Sequence, residues 1–311
     1  MRCAVILADD RGERLRPMTD DDTPTAFLAL GGRRTLLERS ISRLADCVPV
    51  DRVWVVVAPK HLARARAALG PAVGGTADAA DALSGALAQI TPAVGAVLVQ
   101  PATHVVEDEV GFRARISAGL DVASSRGGRV SFTVQGHGST GIEAWPAALL
   151  RARLSCAGAG GPESIRGVLS ATEGELTAMP LDGVGWLDVS DWKAIRRLLD
   201  RVEKPWGYER LWALNRHYAG KILFIRAGES LSLQYHERKD ETIRLLSGRM
   251  RLRAGPSAEA LETVILEPGT SYEIPSRLVH RMEALEDCTV LEVSTPHLTD
   301  VVRLEDRYGR S

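Results

Sequence analysis

The sequence predicts two domains of different class: an α/β domain over residues 1–200 and an all-β barrel or sandwich over 201–311. Three observations carry this. The chain has 311 residues, more than one hydrophobic core usually organises. Up to about residue 200, short apolar runs alternate with segments of helical periodicity, the pattern of a mostly parallel sheet with helices on both faces. Beyond Gly220, short strand-like runs are punctuated by glycine and proline with almost no helix between them, as in sandwiches and barrels.

The first strand is expected at 4–8, an apolar run too short for a secretory leader core that passes straight into Asp9 and Asp10. Further strands are expected at 53–57, 96–99 and 130–134. Helices fill the intervals at 36–44, 61–69, 78–90, 109–123 and 147–154, with a last one near 192–199 and small-residue loops such as 157–161. The C-terminal strands are expected at 221–225, 230–235, 242–246, 250–253, 263–266, 271–274 and 289–293. Gly228, Gly248, Gly255, Pro268, Gly269 and Pro275 supply the turns.

Composition narrows the partners. Hydrophobic residues make up 45% and charged residues 25%, with a formal net charge of −1, so no global field recruits nucleic acid or an acidic membrane. A locally basic pocket for a phosphorylated small molecule is compatible with this balance. Cys3, Cys47, Cys156 and Cys288 fit no zinc spacing and read as buried reduced thiols of a cytoplasmic protein. No apolar run approaches the roughly 18 residues of a membrane span.

One constellation carries chemistry. Gln234 and His236 lie two apart on a predicted strand and share a face. Glu241 opens the next strand after the polar turn 237–240, and His280 follows Gly269 and Pro275. Two imidazoles, a carboxylate and an amide oxygen converging inside a barrel bind a divalent transition metal.

The spacing Gly228, Gln234, His236, Glu241, Gly248 and the later Gly269, Pro275, His280 resemble the two cupin motifs. Gln234 replaces a histidine, Arg277 a glycine and Ala284 an asparagine of that pattern. A Gln-x-His, Glu, His set resembles that of phosphomannose isomerases, which implies zinc, with Mn, Fe, Co or Ni as other occupants. Segments 204–208, 231–236, 279–283 and 300–310 resemble the isomerase domain of bacterial two-function enzymes. Those enzymes join mannose-6-phosphate isomerase to GDP-mannose pyrophosphorylase, and the resemblance covers almost all of 204–311. Segment 237–240 departs from the His- and Arg-rich stretch of those enzymes. Aldose–ketose isomerisation needs an electrophile for the enediolate oxygens, a base and a cation for the phosphate. Arg303, Lys239 and Arg281 are the candidate cations, Arg303 through the matching tail; Glu273, Glu283 and Lys239 are the candidate bases.

Residues 4–17 resemble the opening of sugar-1-phosphate nucleotidyltransferases, which implies a Rossmann-like N-terminal domain. Gly12 and Arg14 match that loop, but Asp9 and Asp10 stand where glycines are expected. A carboxylate about 4 Å from a phosphate charge costs on the order of 4 kcal/mol at an effective dielectric near 20. Thr25 replaces a phosphate-binding lysine and Thr103 a metal-binding aspartate, while Asp188 keeps the second carboxylate. The resemblance spans 1–200 and is patchy between 135 and 180. It implies a domain that keeps the fold without the chemistry, with Gly12, Arg14 and Asp188 as the remaining nucleotide-site residues; a metal held by Asp9 and Asp10 is the other outcome. The expected function is therefore a metal-dependent sugar-phosphate isomerase with an inactive pyrophosphorylase-like domain. The alternatives are other metal chemistry on a small metabolite, such as oxygenation or dehydration, and a non-catalytic sugar-nucleotide-binding regulator. The expected partner is a phosphorylated sugar or related metabolite, with neither nucleic acid nor membrane, in a homodimer formed through strand edges.

Overall fold

The computed structural model of the chain describes residues 1–31, 34–69, 75–78, 94–156 and 176–310. The helix expected over 78–90 lies outside these residues except for Asp78, and the loop expected at 157–161 lies outside them entirely. The chain forms two compact units, one of Met1–Gly12, Asp21–Leu28 and Arg34–Val189, the other of Glu13–Asp20, Ala29–Arg33 and Ser190–Ser311.

The first unit is built on a seven-stranded sheet. Its strands are β1 (Arg2–Leu7), β2 (Val53–Val57), β3 (Gly75–Asp78), β4 (Ala96–Pro101), β6 (Arg129–Val134), β7 (Gly138–Pro146) and β8 (Leu176–Pro180), in the order β3-β2-β1-β4-β7-β6-β8. The first four run parallel, and β7 is antiparallel to both β4 and β6. Two-residue strands β5 (His104–Val105) and β9 (Leu187–Asp188) pair separately. Alternation along β1 explains the layering: Ala4 and Ile6 enter one core with Leu98 and Phe112, while Cys3, Val5 and Leu7 enter another with Val97 and Trp145. A strand buried on both faces reads as a continuous apolar run, as segment 4–8 does.

Helices α1 (Leu36–Ser42), α2 (Leu62–Leu69), α3 (Glu109–Arg126) and α4 (Ala147–Cys156) accompany this sheet. Thr35 and Glu38 form a reciprocal capping box on α1. Asp108 accepts the Gly111 N–H at 2.9 Å at the start of α3, and Gly127 ends that helix at φ +72°. Strand β7 is not expected from sequence, because its outer half (Gly-Ser-Thr-Gly) dilutes the apolar signal; pairing with β4 and β6 supplies what the sequence pattern lacks. No helix among the described residues is long and apolar enough to cross a membrane. Cys3, Cys47 and Cys288 are buried and free.

The longest stretch of the second unit, from Ser190 on, opens with α5 (Trp192–Leu198). The Leu211 N–H bonds the Leu199 and Asp200 carbonyls and ties the end of that helix to the barrel. The barrel has two sheets. One orders β10 (Val202–Lys204), β11 (Gly207–Leu214), β12 (Ala219–Ile225), β19 (Cys288–Ser294), β14 (Glu241–Ser247) and β17 (Ser271–Ile274). The other orders β16 (Glu262–Leu266), β15 (Met250–Gly255), β18 (Val279–Ala284), β13 (Leu233–Tyr235) and β20 (Val302–Glu305). Leu223, Ile243, Leu245 and Val290 of the first sheet meet Met250, Leu252 and Met282 of the second in one core.

Strands β10, β11, β18 and β20 are additions to the sequence expectation, and β13 is shorter than the predicted 230–235. β18 is hard to read because Arg281 and Glu283 interrupt its apolar residues; they face outward, bonded to Glu305, Arg251 and Arg253.

Gly248 turns β14 into β15 at φ +84°, and a Cβ there would lie 2.3 Å from the Asp287 carbonyl oxygen. Gly248→Ala is expected to lower stability by roughly 2–4 kcal/mol, through left-handed strain and the backbone clash. Denaturant unfolding measures this, and a loss below about 0.5 kcal/mol would contradict the turn geometry.

Candidate metal centre

Three strands deliver the ligand residues. Gln234 on β13 pairs with His280 on β18 and with Arg303 on β20. His236 follows β13, and Glu241 opens β14. His236, Glu241 and His280 are all buried, and each offers one ligand atom to a cluster within 4.8 Å. Glu241 Oε1 lies 3.8 Å from His236 Nε2 and 3.4 Å from His280 Nε2.

Both rings are fixed by main-chain carbonyls. His280 Nδ1 bonds the Leu278 carbonyl at 3.0 Å, and His236 Nδ1 bonds the Asp300 carbonyl. With the proton on Nδ1, each Nε2 presents a lone pair to the cluster. Ligating histidines are oriented by the same device. His236 Nε2 is buried with no hydrogen-bond partner, a state that costs about 1–3 kcal/mol unless something fills it. Burial lowers the His236 pKa, the Lys239 ammonium adds to this, and Glu241 offsets part of it. The donor set therefore fits a divalent cation.

Gln234 lies beside the cluster. Ser232 Oγ donates to Gln234 Oε1 at 2.6 Å, and Gln234 Nε2 lies 3.5 Å from His280 Nε2. In this orientation the amide nitrogen, rather than the oxygen, faces His280.

The carboxylate has its own support. Lys239 Nζ bonds Glu241 Oε2 and, at 2.8 Å, Glu292 Oε1. Glu241 is thereby left one oxygen, Oε1, for the cluster. Burial alone would lower the Lys239 pKa, but Glu241 and Glu292 raise it above the ordinary lysine value. Burial would likewise raise the Glu292 carboxyl, but Lys239 and Lys221 override it and hold it at about 2. A carboxyl depressed from 4.5 to about 2 contributes stability above about pH 4.5 and loses it as pH falls toward 2. Unfolding free energy measured across that window is expected to fall less steeply with acid in Glu292→Gln; equal slopes would count against the depressed carboxyl.

The structure separates the other predicted residues. Arg303 is the register neighbour of Gln234 and lines a cavity in this unit. Lys239 touches a predicted ligand, but its ammonium is committed to Glu241 and Glu292. Glu273 is a correction: it sits exposed on β17, out of phase with inward-facing Ile274. Glu283 and Arg281 also turn outward, into pairs with Arg251, Arg253 and Glu305. Glu209, Lys221 and Glu292 lie outside the motif spacing but join the inner charge network. A signal existed: Glu292 is in phase with buried Cys288 and Val290, and Lys221 with Leu223 and Ile225. A charged residue at an inward position of a strand marks a polar interior.

In the first unit, Gly12 is buried at φ +66°, and its N–H bonds Asp10 Oδ1 at 3.0 Å. The backbone donor that a nucleotide phosphate would need is held by a side chain. Thr25 is fully buried on a short 3-10 turn. Thr103 Oγ1 donates to Asp188 Oδ1 at 3.1 Å. Arg14, counted with the second unit, is exposed. Among the described residues, the His236, Glu241 and His280 group is the metal-compatible cluster found, and Asp9 and Asp10 form none.

Residues 3–115 match the Nucleotidyl transferase family and residues 222–294 the Cupin domain family. Among curated relatives, Xanthan biosynthesis protein XanB of Xanthomonas campestris pv. campestris is 29% identical over 116 residues, covering 36% of this chain and 24% of its own. Mannose-1-phosphate guanylyltransferase ManC of Salmonella typhimurium is 30% identical over 115 residues, covering 35% of this chain and 23% of its own. The chain thus spans about a quarter of the length of the curated relatives it matches. Among solved structures, mannose-1-phosphate geranyltransferase from Thermus thermophilus shares the fold with a TM-score of 0.51 at 22% identity, over 66% of this chain and 80% of that one. The chain thus carries a nucleotidyl transferase match followed by a cupin match, in the order the resemblance implied, and over about a third of its length it is similar to XanB and ManC.

Proposed function

We propose that this chain is a metal-dependent isomerase of phosphorylated sugars, of the mannose-6-phosphate/fructose-6-phosphate type, acting through the cupin barrel. One observation carries the reading: two backbone-anchored imidazoles turn Nε2 toward a carboxylate oxygen in a buried site, and that of His236 has no hydrogen-bond partner. His236, His280, Glu241 and Gln234 would hold the cation. Zinc suits this nitrogen and oxygen set first, with Mn, Fe, Co or Ni as other occupants. When bound, the cation supplies Lewis acidity toward sugar oxygens. Lys239 holds Glu241 to one oxygen, and Arg303 is placed to meet an anionic substituent from the adjoining strand. The names of XanB and ManC support a place in sugar-nucleotide metabolism.

The N-terminal domain, in this reading, has no pyrophosphorylase activity, because Asp10 takes the Gly12 N–H and Thr103 takes Asp188. The protein works as a cytoplasmic homodimer, which fractionation and sedimentation would test. A second reading, different metal chemistry on a small metabolite, draws on the outward placement of Glu273 and Glu283, which leaves no predicted glutamate base facing the cluster.

The expected result is stoichiometric divalent metal in purified protein and interconversion of mannose 6-phosphate with fructose 6-phosphate, abolished by chelation. No interconversion by metal-loaded protein, beside a working control isomerase, would sink the isomerase reading. Turnover of GTP with mannose 1-phosphate would overturn the inactive N-terminal domain.

A further inference from the structure

His236 and His280 are held in different ways. His280 lies inside β18, paired with Gln234 of β13 on one side and with Ala254 of β15 on the other. A residue between two strands keeps its place through both ladders. His236 lies one residue past the end of β13, where pairing with β20 has stopped at Tyr235 and Val302. The chain beyond it needs another support.

One side chain gathers that segment. The Asp300 carboxylate accepts three successive backbone N–H groups, from Glu237 at 3.2 Å on Oδ1 and from Arg238 at 2.7 Å and Lys239 at 2.9 Å on Oδ2. Successive N–H groups that converge on one point form an anion-binding concavity, and N–H bonds to a carboxylate are among the stronger ones. The outer side chains of the turn are engaged elsewhere, Arg238 with Asp20 at 2.8 Å and Glu237 with Arg277 at 3.5 Å. Asp300 itself comes from the loop between β19 and β20, 61 residues after Lys239.

The same residue reaches two members of the cluster. Its carbonyl accepts from His236 Nδ1. Its carboxylate fixes the main chain of Lys239, whose Nζ holds Glu241 Oε2 and Glu292 Oε1. Asp300 therefore sets a ring through its main chain and, through its side chain, the cation that orients the facing carboxylate.

We propose that Asp300 is the positioning residue of this centre: its carboxylate clamps the 237–239 turn and thereby keeps His236 Nε2 and Glu241 Oε1 aimed at one point. The proposal rests on the cluster being a metal site, as in the function proposed for the barrel, but not on the isomerase reaction.

The test compares Asp300→Ala and Asp300→Asn with the parent and with Asp306→Ala. Asp306 accepts the Tyr308 and Arg310 N–H groups in the C-terminal tail and pairs with Arg310, away from the cluster residues. Zinc affinity is read by competition with a chromogenic chelator, and imidazole tautomers by proton–nitrogen NMR of chelator-treated protein. Asp300→Ala is expected to weaken zinc binding about 30-fold, inside the roughly 10–100-fold typical of losing a group that orients a ligand. Asp300→Asn keeps one accepting oxygen and should lose only about three- to tenfold, and Asp306→Ala less than about twofold. In metal-free Asp300→Ala the His236 signals should move from the Nδ1-protonated form toward a mixture, while those of His280 stay as in the parent. Equal affinity losses in the alanine and asparagine variants would assign the effect to charge and overturn the clamp, as would an unmoved His236 tautomer. If Asp300→Ala fails to fold, a loss below about twofold in Asp300→Asn overturns the proposal. Absence of zinc binding by the parent would remove the metal reading, and the tautomer comparison would still decide the clamp. Zinc binding as described without isomerase activity would remove the isomerase reading alone.

Discussion

Replacing His280 by alanine is expected to weaken divalent-metal affinity by roughly a hundredfold or more while the barrel stays folded. Even loss of a partner that only orients a ligand typically costs about 10–100-fold, and His280 Nε2 is itself one of the clustered ligand atoms. The remaining His236 and Glu241 cannot enclose a cation by themselves. Metal analysis after dialysis measures the effect directly. A second readout is thermal: saturating metal at about 100 times its Kd stabilises a site by roughly 2.7 kcal/mol. Chelation should therefore lower the Tm of the parent protein and leave that of the variant unmoved. Retained stoichiometric metal in His280→Ala would place the ion elsewhere.

The second large effect concerns Lys239. Its ammonium is 5% exposed and bridges Glu241 and Glu292, which are 2% and 5% exposed. Lys239→Met leaves two carboxylates buried without their shared cation. Breaking a buried pair in this way typically costs about 3–5 kcal/mol, far more than an intact pair contributes. Urea unfolding in the presence of chelator is the suitable measurement, because a bound metal would supply charge of its own. Adding Glu292→Gln to the lysine variant should recover at least about half of the loss, since the two groups share one network. A single-variant loss below about 1 kcal/mol would mean that the bridge does not hold in solution.

The candidate cluster was legible because metal ligands need a narrow choice of residue types at fixed strand positions. Gln234, His236, Glu241 and His280 obey the two-residue period and the turn spacing, and three of them meet within 4.8 Å. The α/β then all-β order was legible from apolar periodicity, and β1 and β2 lie where the buried runs predicted them. Other features depended on information the linear pattern does not hold. β7 opens with glycine and small polar residues and is a strand only because β4 and β6 flank it. β18 hides its period behind Arg281 and Glu283, whose charges are met across the outer face. Glu273 resembled a base because the chemistry needed one. Its position one step from Ile274 turns it away, a matter of parity on the strand. The roles of Lys239 and Glu292 required knowing that β14 and β19 are neighbours.

The anchors of the two imidazoles have a consequence for how this site can evolve. Each ring is oriented by a peptide oxygen, at Leu278 and at Asp300, and no single codon change deletes a peptide oxygen. Lineages that drift at the side chains around the barrel mouth keep both nitrogens aimed at the same point, provided the two loops keep their path. While both histidines remain, the aim of the coordinating nitrogens is thus inherited with the main chain, whereas the charged surroundings, built from Lys239, Glu292 and Glu209, depend on side chains alone. Divergence in this barrel should therefore alter the preferred ligand sooner than it erases the capacity to hold a metal.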